Sequence, residues 1–468
     1  MTYGWAILII VIVAVILYSM GIFNPSSSVT FTSSGFSPFI IKSAFCNNIG
    51  LKVAIQAGPL PNLATSVQVT KVYITSTSGG TISKSEYNLS SPITLTSGST
   101  ATTIIPAAVC NTVNTKYSFS AALTYSYSTA AGNVVTNTTG TVAGTSIAGK
   151  PSALTNYIPV TITNTQSTST PQPFQQMVNA SSSVYSSYAA SNLQNVEFFY
   201  YNGTVIPSWL AQYNSSYAIW WLKVESIPSG SSITVYMGFA PTSTNLFNTV
   251  NDGEAPQLSS TYAEYDDGYN IFPFYSNFHG TSLNTSKFSI GMPGGSSPTQ
   301  LGTYSVNNGL TIKVNSTQSI GVITSKQYNG YNSYFGFGIA PPTWNKGVNF
   351  AIVGSNGLIA VSPALYFQDG LFLVANDNGQ SNQTQVDNTG ALNNYLLVYN
   401  DYFIYAWFNY SHEIYLTTNA YSYVNPRILG ILNSYKGNET FGPIYYYFLT
   451  APLPPNGVIP TVSFGSIA

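Results

Sequence analysis

Hydrophobic and polar positions change their rhythm once along the chain, at residue 25. Before it, "MTYGWAILIIVIVAVILYSMGIFNP" carries no charged side chain and no alternation. The stretch from Tyr3 to Phe23 would span about 31 Å as a helix, the depth of a bilayer core. In lipid every backbone group needs an internal partner, so a helix is predicted despite the many Ile and Val residues. Pro25 disfavours helical geometry at Asn24 and ends it. Tyr3, Trp5, Ile9, Val13, Ile16 and Phe23 mark its membrane- or partner-facing surface.

Beyond Pro25 the period falls to two. "IPVTIT" alternates Ile158, Val160 and Ile162, and "SITVYMGF" alternates Ile233, Val235, Met237 and Phe239. "GLTIKVN" does so with Leu310, Ile312 and Val314. "SVQVTKVYIT" keeps Val67 and Val69 on one face and shifts phase near Lys71. Gly, Pro, Asn and Ser separate these runs at short intervals, the pattern of antiparallel sandwiches. The predicted fold is mainly β: an N-terminal hydrophobic α-helix followed by three antiparallel, jelly-roll-like β-sandwich domains. Seams at "GTSIAGKPSALTNY" and at the acid-rich 251–270 divide the chain into 1–25, 26–150, 151–260 and 261–468.

Composition adds a second constraint. Only 6% of the residues are charged, against roughly 25% in an average soluble domain, so Ser, Thr, Asn, Gln and Tyr must keep the surface wet. Such a surface suits acid, where carboxylates are protonated and solvate little. The net charge is -1, Arg427 is the sole arginine and no basic run exists, which excludes nucleic acid as a partner. Ten Asn-x-Ser/Thr sequons all follow the apolar opening: Asn88, Asn137, Asn179, Asn202, Asn214, Asn284, Asn315, Asn382, Asn409 and Asn438. Glycans there would supply the missing solvation and put the carboxyl side outside the cell. Cys46 and Cys110, an even pair in an apparently extracytoplasmic chain, are expected to form a disulfide; two buried thiols are the alternative. A removable signal peptide fits poorly, because no basic residue leads the apolar run and no small-x-small site precedes Asn24.

Three stretches resemble known families. Met1 to Leu8, "MTYGWAIL", and the apolar run behind it are similar to the hydrophobic segment of archaeal class III, type IV pilin-like proteins. That resemblance implies an archaeal cell-surface protein whose helix sits in the membrane and packs with its own copies in a filament core. The family's basic leader, cleavage motif and early Glu are absent, as expected of a processed form or an internal start. Residues 26–150, with "SAFCNNIGLKVAIQ" and "AAVCNT", loosely resemble the disulfide-closed heads that follow such helices. Pro207-Ser208-Trp209, Trp221-Leu222-Lys223-Val224, Ile227-Pro228-Ser229-Gly230 and Tyr236-Met237-Gly238 resemble a prokaryotic surface domain of undefined function. "YAEYDDGYNIFPFYSNFHGTSLNTSKFS", with Phe272, Phe274 and Phe278, looks like the start of a concanavalin A-like jelly roll.

Candidate chemistry is sparse. A glycosidase on that sandwich would need two carboxylates across a cleft. Asp369, Asp377, Asp387, Asp401 and Glu413 are scattered instead, and no paired-Glu spacing follows residue 261. A Ser nucleophile would need a His base, and His279 and His412 both read as surface or turn residues. Asn251, Asp252, Glu254, Asp266 and Asp267 form the best oxygen-ligand cluster, with Asp266 and Asp267 as candidate calcium ligands; a solvated inter-domain linker or a turn is the plainer reading. The aromatic runs at 197–201, 218–222 and 443–449 suit a sugar platform or a core, and strands favour aromatics in any case. The expected function is therefore non-enzymatic: a glycosylated surface protein, without cofactor unless calcium, partnered by the membrane or by itself. A carbohydrate-binding adhesin using residues 261–468 is the rival reading, and a glycoside hydrolase the third.

Overall fold

A computed structural model describes residues 31–61, 64–130, 132–291, 302–313 and 444–468; between 319 and 434 it describes the strands, chiefly as backbone. The expected helix at 1–25 lies outside the described residues. Among those residues no helix is long and apolar enough to cross a membrane. Two four-residue helices are present, Ser182–Tyr185 and Gly268–Ile271; the rest of the regular structure is mainly strand. The chain forms two compact units, Met1–Ser152 with Tyr200–Thr204, and Ala153–Phe199 with Val205–Ala468.

In the first unit a five-stranded sheet runs Phe31–Gly35, Gly132–Thr145, Lys116–Thr129, Ser66–Ser78, Glu86–Thr96. A three-stranded sheet runs Phe39–Cys46, Leu51–Ala57, Thr100–Ile105. All of these pairings are antiparallel. Leu51, Val53, Ile55 and Ala57 are buried in strict alternation, the side-chain period of a half-buried strand. Val67, Val69, Val72 and Ile74 line the same core, and a bulge between Val69 and Lys71 produces the shift of phase seen in the sequence. The Cys46–Cys110 disulfide, 5.6 Å between Cα atoms, lies within this core.

The second unit holds four larger sheets. One runs Val196–Tyr200, Ser232–Phe239, Asn156–Thr163, Thr461–Phe464; another runs Phe174–Ser181, Tyr217–Val224, Ser208–Tyr213, Asp252–Glu254. The last pairing is parallel, in an otherwise antiparallel sheet. Thr461–Phe464 returns from the C-terminus to pair with Asn156–Thr163, so 153–260 and 261–468 share one unit. An eight-stranded sheet includes Ile444–Pro452, Ser333–Ala340 and Asn393–Tyr399, and a seven-stranded sheet includes Ser319–Thr324 and Ile428–Ser434.

Aromatic side chains fill this second core. Trp209 meets Phe272, Tyr275 and Tyr447 edge-on at centroid distances of 5.4, 5.8 and 5.0 Å. Each such pair adds about 1 kcal/mol beyond area burial. Phe198, Phe199, Trp220, Trp221, Tyr445 and Tyr447 are all buried and pack in the core, while Tyr200 and Tyr446 are half-buried.

Candidate functional site

The acid-rich stretch at 251–270 is not a solvated linker. The strand Asp252–Glu254 is buried throughout, held parallel to Ser208–Tyr213. A loop follows it and doubles back, closed by Glu254 N–H donating to the Tyr265 carbonyl at 3.1 Å. That loop brings Asp266 and Asp267 back under the strand, at 7% and 1% exposure. Gly253 is required there: a Cβ on it would stand 2.0 Å from Oδ1 of Asp267.

Adjacent carboxyls meet opposite surroundings. Asp266 is saturated with donors. Trp209 Nε1 donates to its Oδ1 at 2.9 Å, Gly268 N at 3.0 Å, and Asn277 Nδ2 to its Oδ2 at 2.8 Å. The Tyr275 hydroxyl lies 3.0 Å from both oxygens. Burial still lifts its pKa above the ordinary carboxylate range, against the pull of those donors. Asp267 has no well-formed hydrogen bond on either oxygen; the backbone N–H groups of Gly253 and of Asp267 itself lie near its carboxyl and pull its pKa down only weakly. Burial first, then the charges of Asp266 and Asp252, push it to about 9.

Two further acids adjoin. Asp252 accepts from Asn248 Nδ2 at 3.2 Å on Oδ2, while its Oδ1 has no donor. The half-buried Glu197 reaches it from Val196–Tyr200. Burial and the Glu197 charge push Asp252 up to about 8; burial also raises Glu197. Glu254 accepts from the Ser259 hydroxyl at 2.5 Å and is likewise raised by burial. Glu197 had no signal in the acid-rich stretch, since it lies elsewhere in the chain. Its cue was a lone carboxylate in "NVEFFY", between residues that the structure buries.

A calcium centre at Asp266 and Asp267 does not fit this geometry. Calcium takes six to eight oxygens, yet both Asp266 oxygens are already occupied by donors. Among the described residues no three Asp, Glu, His or Cys side chains gather to hold a metal.

The sequons present a different picture. Asn88, Asn137, Asn179, Asn202, Asn214 and Asn284 are all exposed. In Asn202, Asn214 and Asn284 the side-chain oxygen accepts the N–H two residues on, at 3.1, 2.8 and 3.0 Å, which holds each in an Asx turn. Asn315, Asn409 and Asn438 lie outside the described residues, and Asn382 is described only as backbone.

Residues 192–291 match the family model described as a domain of unknown function, DUF2341. All five clustered acids fall inside that stretch. A curated relative, "Uncharacterized protein 562" of Sulfolobus islandicus rod-shaped virus 1, is 28% identical over 356 residues, 65% of this chain. The match spans 59% of that protein's length. Among solved structures, an endo-β-1,3-glucanase of Pyrococcus furiosus is 11% identical with a TM-score of 0.32, over 40% of this chain and 95% of that one. A GlcNAcα1-4Gal-releasing endo-β-galactosidase of Clostridium perfringens is 14% identical with a TM-score of 0.30, over 40% and 64%. Likenesses that faint carry no argument about fold or chemistry.

Proposed function

We propose that the chain is a non-enzymatic exterior protein, displayed from a cell or a virus particle. Its Tyr3–Phe23 run anchors in a membrane or bundles with copies of itself in a pilin-like filament core. The two described units project outward and carry glycans at the sequons. The observation that carries this reading is the exposure of all six sequon asparagines whose side chains are described, in a chain that also holds a buried disulfide. Disulfides persist outside reducing compartments.

The cluster of acids supports a structural role over catalysis. Asp252, Glu254, Asp266 and Asp267 are each under a tenth exposed, where a substrate does not reach them. The test is fractionation of native material followed by electron microscopy. Recovery in membranes or in helically ordered filaments is expected. Monomeric material without helical order removes the filament version and leaves anchoring; a chain found soluble inside cells overturns both. Carbohydrate binding through a jelly roll at 261–468 is the second reading, supported by the sequence resemblance there. A glycan array probed with the purified protein, with and without calcium, tests it, and no binding in either condition removes it.

A further inference from the structure

Glu197, Asp252, Glu254, Asp266 and Asp267 crowd one buried region, and among the described residues no cation pairs with them. The strand Val196–Tyr200 contributes Glu197, and Asp252–Glu254 contributes two more acids. The loop behind it adds Glu264, Asp266 and Asp267. The neighbouring elements supply neutral groups: Trp209 from Ser208–Tyr213, Tyr275 from Phe274–Ser276, and Asn248 and Asn277 from loops. Two lysines approach and are used elsewhere. Lys223 Nζ donates to the Asn270 carbonyl at 2.7 Å; Lys287 Nζ donates to the Tyr275 carbonyl at 2.8 Å and sits 4.2 Å from the Tyr269 ring centroid. Among the described residues the ion pair present is Lys71–Glu86, in the first unit.

The donor arrangement shows which acids are built to be charged. Asp266 has donors on both oxygens, as an ion requires. Asp267, at 1% exposure, has no well-formed hydrogen bond on either, and Oδ1 of Asp252 has none while Glu197 reaches that same carboxyl. A dry carboxylate without donors or a cation is too costly to keep ionised; such a group holds its proton instead. Two facing carboxyls likewise share a proton.

We propose that Glu197, Asp252 and Asp267 form a proton-binding site, and that the second unit is stabilised by protons bound there and weakened as they leave. The sign follows from linkage. These groups have raised pKa values in the folded chain, so the folded state holds protons that the unfolded state has released. Their stabilisation is complete below the ordinary carboxylate range. It is lost as pH rises from that range to about 8 for Asp252 and about 9 for Asp267, then levels off. Each such proton changes the folding constant about tenfold per pH unit within its window.

The experiment is a thermal melt of the full-length chain from acid to alkaline pH, read by tryptophan fluorescence. Trp209 and Trp221 report on this core. The wild type is expected to lose melting temperature steadily from acid to alkaline pH. Asp267→Asn, which keeps shape and removes the titration, is expected to flatten the slope and to melt above wild type at alkaline pH. A flat wild-type profile, or an unchanged slope in Asp267→Asn, overturns the proposal. If that variant does not fold, infrared spectra of the wild type at neutral pH decide: the carbonyl band of protonated carboxyls supports the site and its absence overturns it. A melting temperature raised by calcium and lowered by a chelator overturns it in favour of a cation.

Discussion

The two units of this chain stabilise themselves by different means. The first packs mainly Val, Ile and Leu on alternating positions, together with Phe36, Phe39, Tyr117, Phe119, Tyr125 and Tyr127; it is closed by a disulfide and keeps its ion pair on the surface. The second packs rings. Among the described residues, one of the nine largest fully buried side chains, Phe119, belongs to the first unit, and Trp209, Trp221, Tyr275 and Tyr447 crowd one cluster of the second. That second core also takes in carboxyls that the first does not. The difference starts in the sequence, where Glu86 is the sole Asp or Glu between residues 26 and 152, and it is exposed; in the second unit, indole and phenol tips supply donors to the acids that are buried. Trp209 Nε1 and the Tyr275 hydroxyl are what allow Asp266 to be buried. In the first core the Tyr117 hydroxyl donates to the Ala44 carbonyl at 3.2 Å, and the disulfide adds a covalent closure.

Substitutions sharpen this contrast, the largest effect first. Replacing both cysteines, Cys46→Ala with Cys110→Ala, is expected to destabilise the first unit by about 4 kcal/mol on the chain-entropy estimate for a 64-residue separation. Tryptophan fluorescence of the second unit should keep its transition. A joint loss of both transitions would break the division. Trp209→Phe removes the indole donor from Asp266 and leaves a void, with an expected cost of about 3 kcal/mol to the second unit by denaturant unfolding. Gly253→Ala drives a methyl into the Asp267 carboxyl and should cost about 2 kcal/mol in the same assay. Lys71→Ala removes an exposed pair, and the melting temperature should stay where it is.

The β-rich architecture of the first unit was legible because a sheet with one wet face writes its period into the sequence. Even the bulge at Val69–Lys71 showed as a broken alternation in "SVQVTKVYIT". The second unit was less legible. Its strands are buried on both faces in places: Ser208 to Ala211 are all buried, and so are Ala218 to Leu222. A run of that kind has no period to read. The pairing of Thr461–Phe464 with Asn156–Thr163 joins distant segments, and no local pattern announces it. At the carboxyl cluster the sequence located Asp252, Glu254, Asp266 and Asp267 but read them as ligands or linker. Whether an acid is charged depends on which donors face it. Those donors, Trp209, Tyr275 and Asn277, come from separate segments whose convergence is tertiary.

The exterior placement of the chain is the claim on which the functional reading stands. Peptide mapping of native protein by mass spectrometry, with free thiols blocked before any reductant is added, tests it most directly. The account predicts Cys46 and Cys110 linked to one another and glycan mass on peptides bearing the exposed sequons, Asn202, Asn214 and Asn284 among them. Both cysteines blocked as free thiols, with all six exposed asparagines unmodified, would contradict it.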